Sequence, residues 1–200
     1  AKALKKKFNV GEHTPVLKNK TVALLFGNAS TRTRVSFEMG IRQLGGDYIF
    51  LPKNETQLSR GESIKDTAVM LGRYGLSAVV LRAFTDAQVS EFAQHSAIPV
   101  INGISDETHP LQILSDLFTV WEVKGRFDNL KIAYIGDGNN VANSLIMGCS
   151  KVNMDIAIAV RLCMPGIEHI HLIELLGTLR AELEHAAHGG IAVDVGVFAR

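Results

Sequence analysis

Ser30-Thr31-Arg32-Thr33-Arg34 brings three hydroxyls and two guanidiniums into five consecutive residues. Hydroxyls donate hydrogen bonds and guanidiniums add charge in a planar fork, a combination suited to an anion with several oxygens, phosphate above all. The segment follows the apolar run TVALLF (21–26) and precedes Phe37, Gly40, Ile41 and Leu44, which are spaced i, i+3, i+4, i+7. That spacing predicts a buried strand and then a helix over residues 31–44. A helix N-terminus carries N–H groups without intrahelical acceptors and the positive end of the helix dipole, so it already favours an anion. The same residues also serve as an ordinary N-cap followed by surface arginines. Residue chemistry alone leaves both readings open.

A second cluster is His109-Pro110-Leu111-Gln112. Proline suits the first position of a helix, and a separation of three residues puts His109 and Gln112 on one helical face. An imidazole and an amide can then meet one small polar ligand, although a histidine at a helix start also serves as a cap. Arg82 interrupts the apolar run Val79, Val80, Leu81 where a strand ends. Open α/β sheets bind ligands at the carboxyl ends of their strands. His169, His171, His185 and His188 lack a recognised tetrahedral metal spacing and are read as solvated helical residues. No metal or cofactor is expected.

Elements able to hold these residues alternate along the chain. SAVVLRAF (77–84), PVINGI (99–104), KIAYIG (131–136) and MDIAIAV (154–160) read as further buried strands. Ile64, Thr67, Ala68 and Leu71 predict a helix behind a Ser63–Asp66 capping box, and Leu111, Leu114, Phe118 and Trp121 an apolar stripe on another. Charge and turn residues in KGRFDNLK (124–131) mark a break, so two units are expected, 1–125 and 126–200. The second has strands near 131–136, 154–160 and 191–198 and helices near 139–151 and 167–187, with Leu162-Cys163-Met164-Pro165 as a strand-to-helix connection. The expected class is α/β, two doubly wound parallel-sheet domains with the second cut short.

Composition excludes several alternatives. Of 200 residues 46% are hydrophobic, which is ample for a folded core. The 21 basic and 20 acidic residues leave a net charge of +1, so no global field marks a binder of nucleic acid or anionic membrane. No apolar run approaches the roughly 18–20 residues that span a bilayer, and AKALKKKFNVGEHTP has no apolar signal core. Lys5, Lys6 and Lys7 read as a solvated helix face. Cys149 and Cys163 lack metal or redox spacing, which fits a reducing, cytoplasmic setting.

Taken in order, S-T-R-T-R, the strand-end arginine and H-P-L-Q resemble the aspartate and ornithine carbamoyltransferase family, and the similarity runs from residue 14 to 160. TQLSRGES (56–63), PVINGISDETHPLQ (99–112) and GDGNNVANS (136–144) favour the ornithine branch. The resemblance implies a carbamoyl phosphate-binding domain followed by an ornithine-binding domain. It implies that Ser30, Thr31, Arg32 and Thr33 hold the phosphate, that the catalytic Arg82 and His109 face the carbonyl oxygen, and that Gln112 faces the carbamoyl nitrogen. By the same resemblance Gln57 reaches a neighbouring subunit's phosphate site in a homotrimer, and Asn140 is an ornithine ligand. The implied reaction moves the carbamoyl group of carbamoyl phosphate to the side-chain amine of ornithine, giving citrulline and phosphate in arginine biosynthesis.

The sequence departs from the family at named places. Phe26-Gly27-Asn28-Ala29 stands where the family commonly has an acidic residue and a lysine. No Ser-Met-Gly or His-Cys-Leu-Pro loop follows, and Asp194 lies in a setting similar to the aspartate that precedes Ser-Met-Gly. Two alternatives therefore accompany the ornithine reading. One is a carbamoyltransferase for another amine, putrescine or aspartate, and the other is a non-catalytic anion-binding relative.

Overall fold

The computed structural model of the chain describes residues 1–164, 167–175 and 194–199. Packing divides it into two compact units, Ala1–Asp106 and Glu107–Arg200.

The first unit runs α1 (Lys2–Asn9), β1 (Thr21–Phe26), α2 (Thr31–Gln43), β2 (Asp47–Pro52), α3 (Ile64–Arg73), β3 (Ala78–Phe84), α4 (Asp86–His95) and β4 (Val100–Ser105). Its sheet is parallel throughout, in the order β2-β1-β3-β4. Val22 to Phe26 are all buried, because helices cover both faces of a parallel sheet and each side of the strand must be apolar. Alternate residues feed two cores: Ala23, Leu25 and Leu81 pack with Phe92 on one face, and Val22, Leu24 and Phe26 pack with Ile41 on the other. The chain passes from β1 to β2 on one side and then to β3 on the other. The carboxyl ends of β1 and β3 therefore flank the point where strand order reverses, the usual ligand position in such sheets.

Two elements of this unit lie outside the sequence reading. β2 is an edge strand whose first four positions, Asp47 to Phe50, alternate between exposed and half-buried. Its apolar signal is accordingly short. At α4 Thr85 Oγ1 accepts the Gln88 N–H while Gln88 Oε1 accepts the Thr85 N–H, both at 3.1 Å, a reciprocal capping box. At α3 Ser63 Oγ accepts the Asp66 N–H at 3.0 Å, as expected, and donates to the Asp66 carboxylate at 2.8 Å.

The second unit contains α5 (Pro110–Lys124), β5 (Leu130–Gly136), α6 (Asn140–Lys151), β6 (Asp155–Met164), β7 (Ile167–Leu175) and β8 (Asp194–Ala199). The expected boundary at 125/126 puts α5 in the first unit, whereas packing groups it with the second. Ile113, Leu117 and Val120 join Leu130, Ile132, Tyr134 and Cys149 in one core. The buried stripe is thus not the expected Leu111, Leu114, Phe118 and Trp121; Leu114 is 63% exposed. α5 turns its Ile113 side toward Gly148 of α6, where a Cβ would lie 2.3 Å from Ile113 Cγ2. Only glycine permits that approach.

The sheet of this unit, β7-β6-β5-β8, is mixed rather than all parallel. β5 and β6 are parallel, while β7 and β8 run antiparallel to their neighbours. The helix expected over 167–187 is a strand across 167–175, and 176–187 lies outside the described residues. Isoleucines and leucines in IEHIHLIEL fit either period over so short a run, and ladder pairing with β6, from Met164↔Ile167 to Ile156↔Leu175, selects the strand. Leu162, Cys163 and Met164 belong to β6 rather than to a strand-to-helix connection, and Pro165 lies outside the described residues. His169 and His171 lie on β7, not on a helix; His185 and His188 are outside the described residues. Among the described residues no helix is long and apolar enough to cross a membrane.

Candidate functional site

In the first unit the loop after β1 delivers Ser30 to the N-cap of α2 in extended backbone, and the Ser30 side chain makes no capping hydrogen bond. The first N–H to bond back is that of Arg34, to Ser30 O at 3.3 Å. The N–H groups of Thr31, Arg32 and Thr33 precede it, so they have no acceptor within the helix. This helix start opens on a cleft of about 690 Å³ whose wall includes Phe26, Asn28, Ser30, Thr31, Arg34 and Phe50. Such a volume accommodates a small phosphorylated molecule.

Of the residues expected at the phosphate, Ser30 and Thr31 line the cleft. Arg32 and Thr33 follow on the first turn of α2, Arg32 exposed and Thr33 half-buried. Gln57 is exposed and opens a 3-10 turn, Gln57–Arg60. Arg34, which the site expectation omits, is on the wall. Its Cζ stands 3.7 Å from the Phe50 ring centroid and its Nε donates to Glu38 Oε1 at 2.7 Å. The Arg34 hydrogen bond is the main reason that the Glu38 carboxyl is held below its ordinary range, and a hydrogen bond to Glu38 raises the Tyr48 phenol. The Glu38 contact was legible as an i, i+4 pair. The Phe50 contact was not, because β2 went unread.

Arg82 sits at the carboxyl end of β3, in register with Phe26 of the cleft wall. Burial lowers the pKa of its guanidinium, and Nη1 is buried without a hydrogen-bond partner among the described residues. A buried charged donor left unpaired is costly, so an incoming oxygen acceptor gains a large share of that cost back.

In the second unit His109 is the N-cap of α5, with Pro110 at the first helical position as expected. The His109 backbone N–H donates to Ser144 Oγ at 2.7 Å, and Ser144 Oγ donates to Asn140 O at 2.8 Å, so the start of α5 is tied to the first turn of α6. Gln112 is exposed and its Nε2 donates to Asp116 Oδ1 at 2.9 Å. Burial raises the Asp116 pKa, and the Gln112 bond opposes that rise. Asn140 is the first residue of α6. Its neighbour Asn139 caps the helix, Oδ1 accepting from Val141 N at 2.9 Å and Ala142 N at 3.2 Å. The Tyr134 hydroxyl donates to Asp137 O at 2.8 Å and bridges to Asn139 Oδ1 at 3.3 Å, bracing the glycine turn. Ser144 and Tyr134 were not foreseen, since Ser144 reaches a residue 35 positions away and Tyr134 lies inside an apolar run.

The family model for the aspartate/ornithine carbamoyltransferase carbamoyl-P binding domain matches residues 1–122, well over half of the chain. The chain belongs to the aspartate/ornithine carbamoyltransferase family. Within that family it is 55% identical over 156 residues to the ornithine carbamoyltransferase of Caldicellulosiruptor saccharolyticus, covering 78% of this chain and 50% of that protein. It is 46% identical over 176 residues to the one from Carboxydothermus hydrogenoformans, covering 88% and 55%. Among solved structures, ornithine carbamoyltransferase from Pyrococcus furiosus superposes with a TM-score of 0.77 at 42% identity, over 80% of this chain and 51% of that one. The enzyme from Thermus thermophilus gives 0.74 at 34% identity, over 80% and 55%. The chain therefore spans about half the length of the curated relatives it matches.

Proposed function

We propose that the first unit binds carbamoyl phosphate and that the protein transfers its carbamoyl group to the side-chain amine of ornithine. The observation that carries this reading is the open cleft at the start of α2, bordered by Ser30 and Thr31, within the stretch matched by the carbamoyl-P binding domain. Relatives named ornithine carbamoyltransferase support the choice of amine. The α2 N–H groups, Ser30, Thr31, Arg32 and Thr33 bind the phosphate. Arg82 and His109 donate to the carbonyl oxygen, and Gln112 engages the carbamoyl nitrogen. As the neutral amine attacks the carbonyl carbon, negative charge grows on that oxygen. The C–O bond to phosphate then breaks, phosphate leaves with the electron pair, and the nitrogen gives its proton to the departing phosphate. Placed donors are what such a reaction needs, and one of them contributes about 3 kcal/mol in a preorganised site. Asn140 is assigned to ornithine, and the setting is cytoplasmic.

The test is calorimetry with carbamoyl phosphate. Arg32→Ala removes a charge-assisted bond and is expected to weaken binding by about 1.5–3 kcal/mol, whereas Lys6→Ala, on α1, leaves it unchanged. Equal affinity in the two variants refutes the phosphate placement.

The exposed Gln57 is assigned to the phosphate site of a neighbouring copy, in a homotrimer built through the first unit. Closed cyclic symmetry lets each chain complete its neighbour's pocket. Sedimentation at micromolar concentration is expected to give a trimer, and a monomer that still binds carbamoyl phosphate contradicts the arrangement.

A further inference from the structure

Among the described residues four non-glycine positions have positive φ, and three of them are asparagines, Asn19, Asn129 and Asn153. Asparagine tolerates left-handed backbone; a residue with a Cβ and no compensating polar group does not. The fourth is Ala83, at φ 62°, directly after Arg82. The ladder between β3 and β4 slips on both sides of Arg82: Leu81 pairs with Asn102, Arg82 with Ile104 and Phe84 with Ser105. Gly103 is thus extra on β4 and Ala83 is extra on β3. Consecutive bulges of this kind re-aim the side chain between them.

Neighbouring strands hold the distortion from both sides. The Gly27 N–H donates to Arg82 O at 2.7 Å, and a Cβ on Gly27 would stand 2.6 Å from Ala83 O. On the other side a Cβ on Gly103 would stand 2.9 Å from Leu81 O. Both glycines are therefore required by close backbone approach around one strained peptide. The side chain that follows from it ends in a buried Nη1 that has no hydrogen-bond acceptor among the described residues.

We propose that Ala83, held in left-handed backbone between Gly27 and Gly103, is a positioning residue that directs the Arg82 guanidinium onto an oxygen of carbamoyl phosphate. The proposal rests on the assignment of Arg82 to that ligand. Ala83 touches no substrate; it acts through Arg82.

The experiment measures carbamoyl phosphate affinity by calorimetry and melting temperature for the 200-residue chain and five variants: Arg82→Ala, Ala83→Gly, Ala83→Val, Gly27→Ala and the double Ala83→Val/Arg82→Ala. Glycine adopts positive φ freely, so Ala83→Gly is expected to melt higher with affinity unchanged. A β-branched side chain refuses that φ, so Ala83→Val is expected to weaken binding to the level of Arg82→Ala, a loss of about tenfold or more. The double variant then binds no worse than Arg82→Ala alone, because both changes remove one interaction. A purely structural role gives multiplying losses instead and overturns the proposal, as does an Ala83→Val protein that binds like the parent. Should Ala83→Val fail to fold, Gly27→Ala, at the residue that follows β1 and also lines the cleft, crowds the same peptide and must show the loss; a Gly27→Ala protein that binds normally overturns the proposal. If Arg82→Ala binds as well as the parent, the ligand assignment itself is wrong and the proposal falls with it. If Arg82→Ala binds weakly and Ala83→Val does not, only the positioning role is refuted.

Discussion

Arg82→Ala is expected to weaken carbamoyl phosphate binding by about ten- to a hundred-fold with no loss of thermal stability. These two outcomes belong together because of how the side chain is held. Its Nη1 is buried without a hydrogen-bond partner among the described residues, and burial already lowers the pKa of the guanidinium. Removing a half-buried charge whose Nη1 has no acceptor among the described residues leaves no orphaned partner at that nitrogen and relieves a desolvation cost, so the folded unit is not weakened. On the proposed assignment, bound carbamoyl phosphate loses a charge-assisted bond to that nitrogen. Arg82→Lys is expected to recover part of the affinity, since an ammonium supplies charge without the planar fork. Calorimetry and thermal melting on the same samples check both halves. Unchanged affinity in Arg82→Ala removes this residue from the site.

Gly148→Val is expected to destabilise the second unit by about 1–3 kcal/mol, the cost of overpacking a filled core. The Cβ position at 148 falls 2.3 Å from Ile113 Cγ2, too close for Ile113 to stay in place, and Leu117 Cδ1 is 3.3 Å away. In a domain of this size that cost lowers the melting temperature by roughly 4–8 °C per kcal/mol. Gly40→Ala is the matched control. No atom lies within 4 Å of a Cβ at Gly40, so the replacement gains helix propensity of about 1 kcal/mol without a clash. A Gly148→Val protein melting at the parent temperature refutes the packing account.

Where one short segment carried both the signal and its explanation, the sequence was sufficient. TVALLF is buried on both faces because a central parallel strand has no wet side, and S-T-R-T-R, three residues after it, opens the next helix. Proline at residue 110 likewise marks the start of α5 from within the same few residues. The α/β class and the family resemblance rest on such local coincidences, whereas the same residues left the start of α2 open between an anion site and an ordinary N-cap.

Tertiary structure decided whatever depends on residues far apart in the chain. IEHIHLIEL reads equally as helix or strand until β6 offers a ladder, and of the apolar residues of α5 those that are buried, Ile113, Leu117 and Val120, are the ones that join the core shared with β5 and α6. Arg34 reaches the cleft wall only because Phe50, on a strand 16 residues later, stacks under it. Arg82 shows both sides of this division. The sequence by itself determined that an arginine ends a buried strand at the ligand-binding edge of an α/β sheet, since side-chain type and hydrophobic period are local properties. That its guanidinium is re-aimed by a left-handed alanine between two glycines is decided by β1 and β4 packing against β3, because backbone strain persists only where neighbouring strands leave no other conformation.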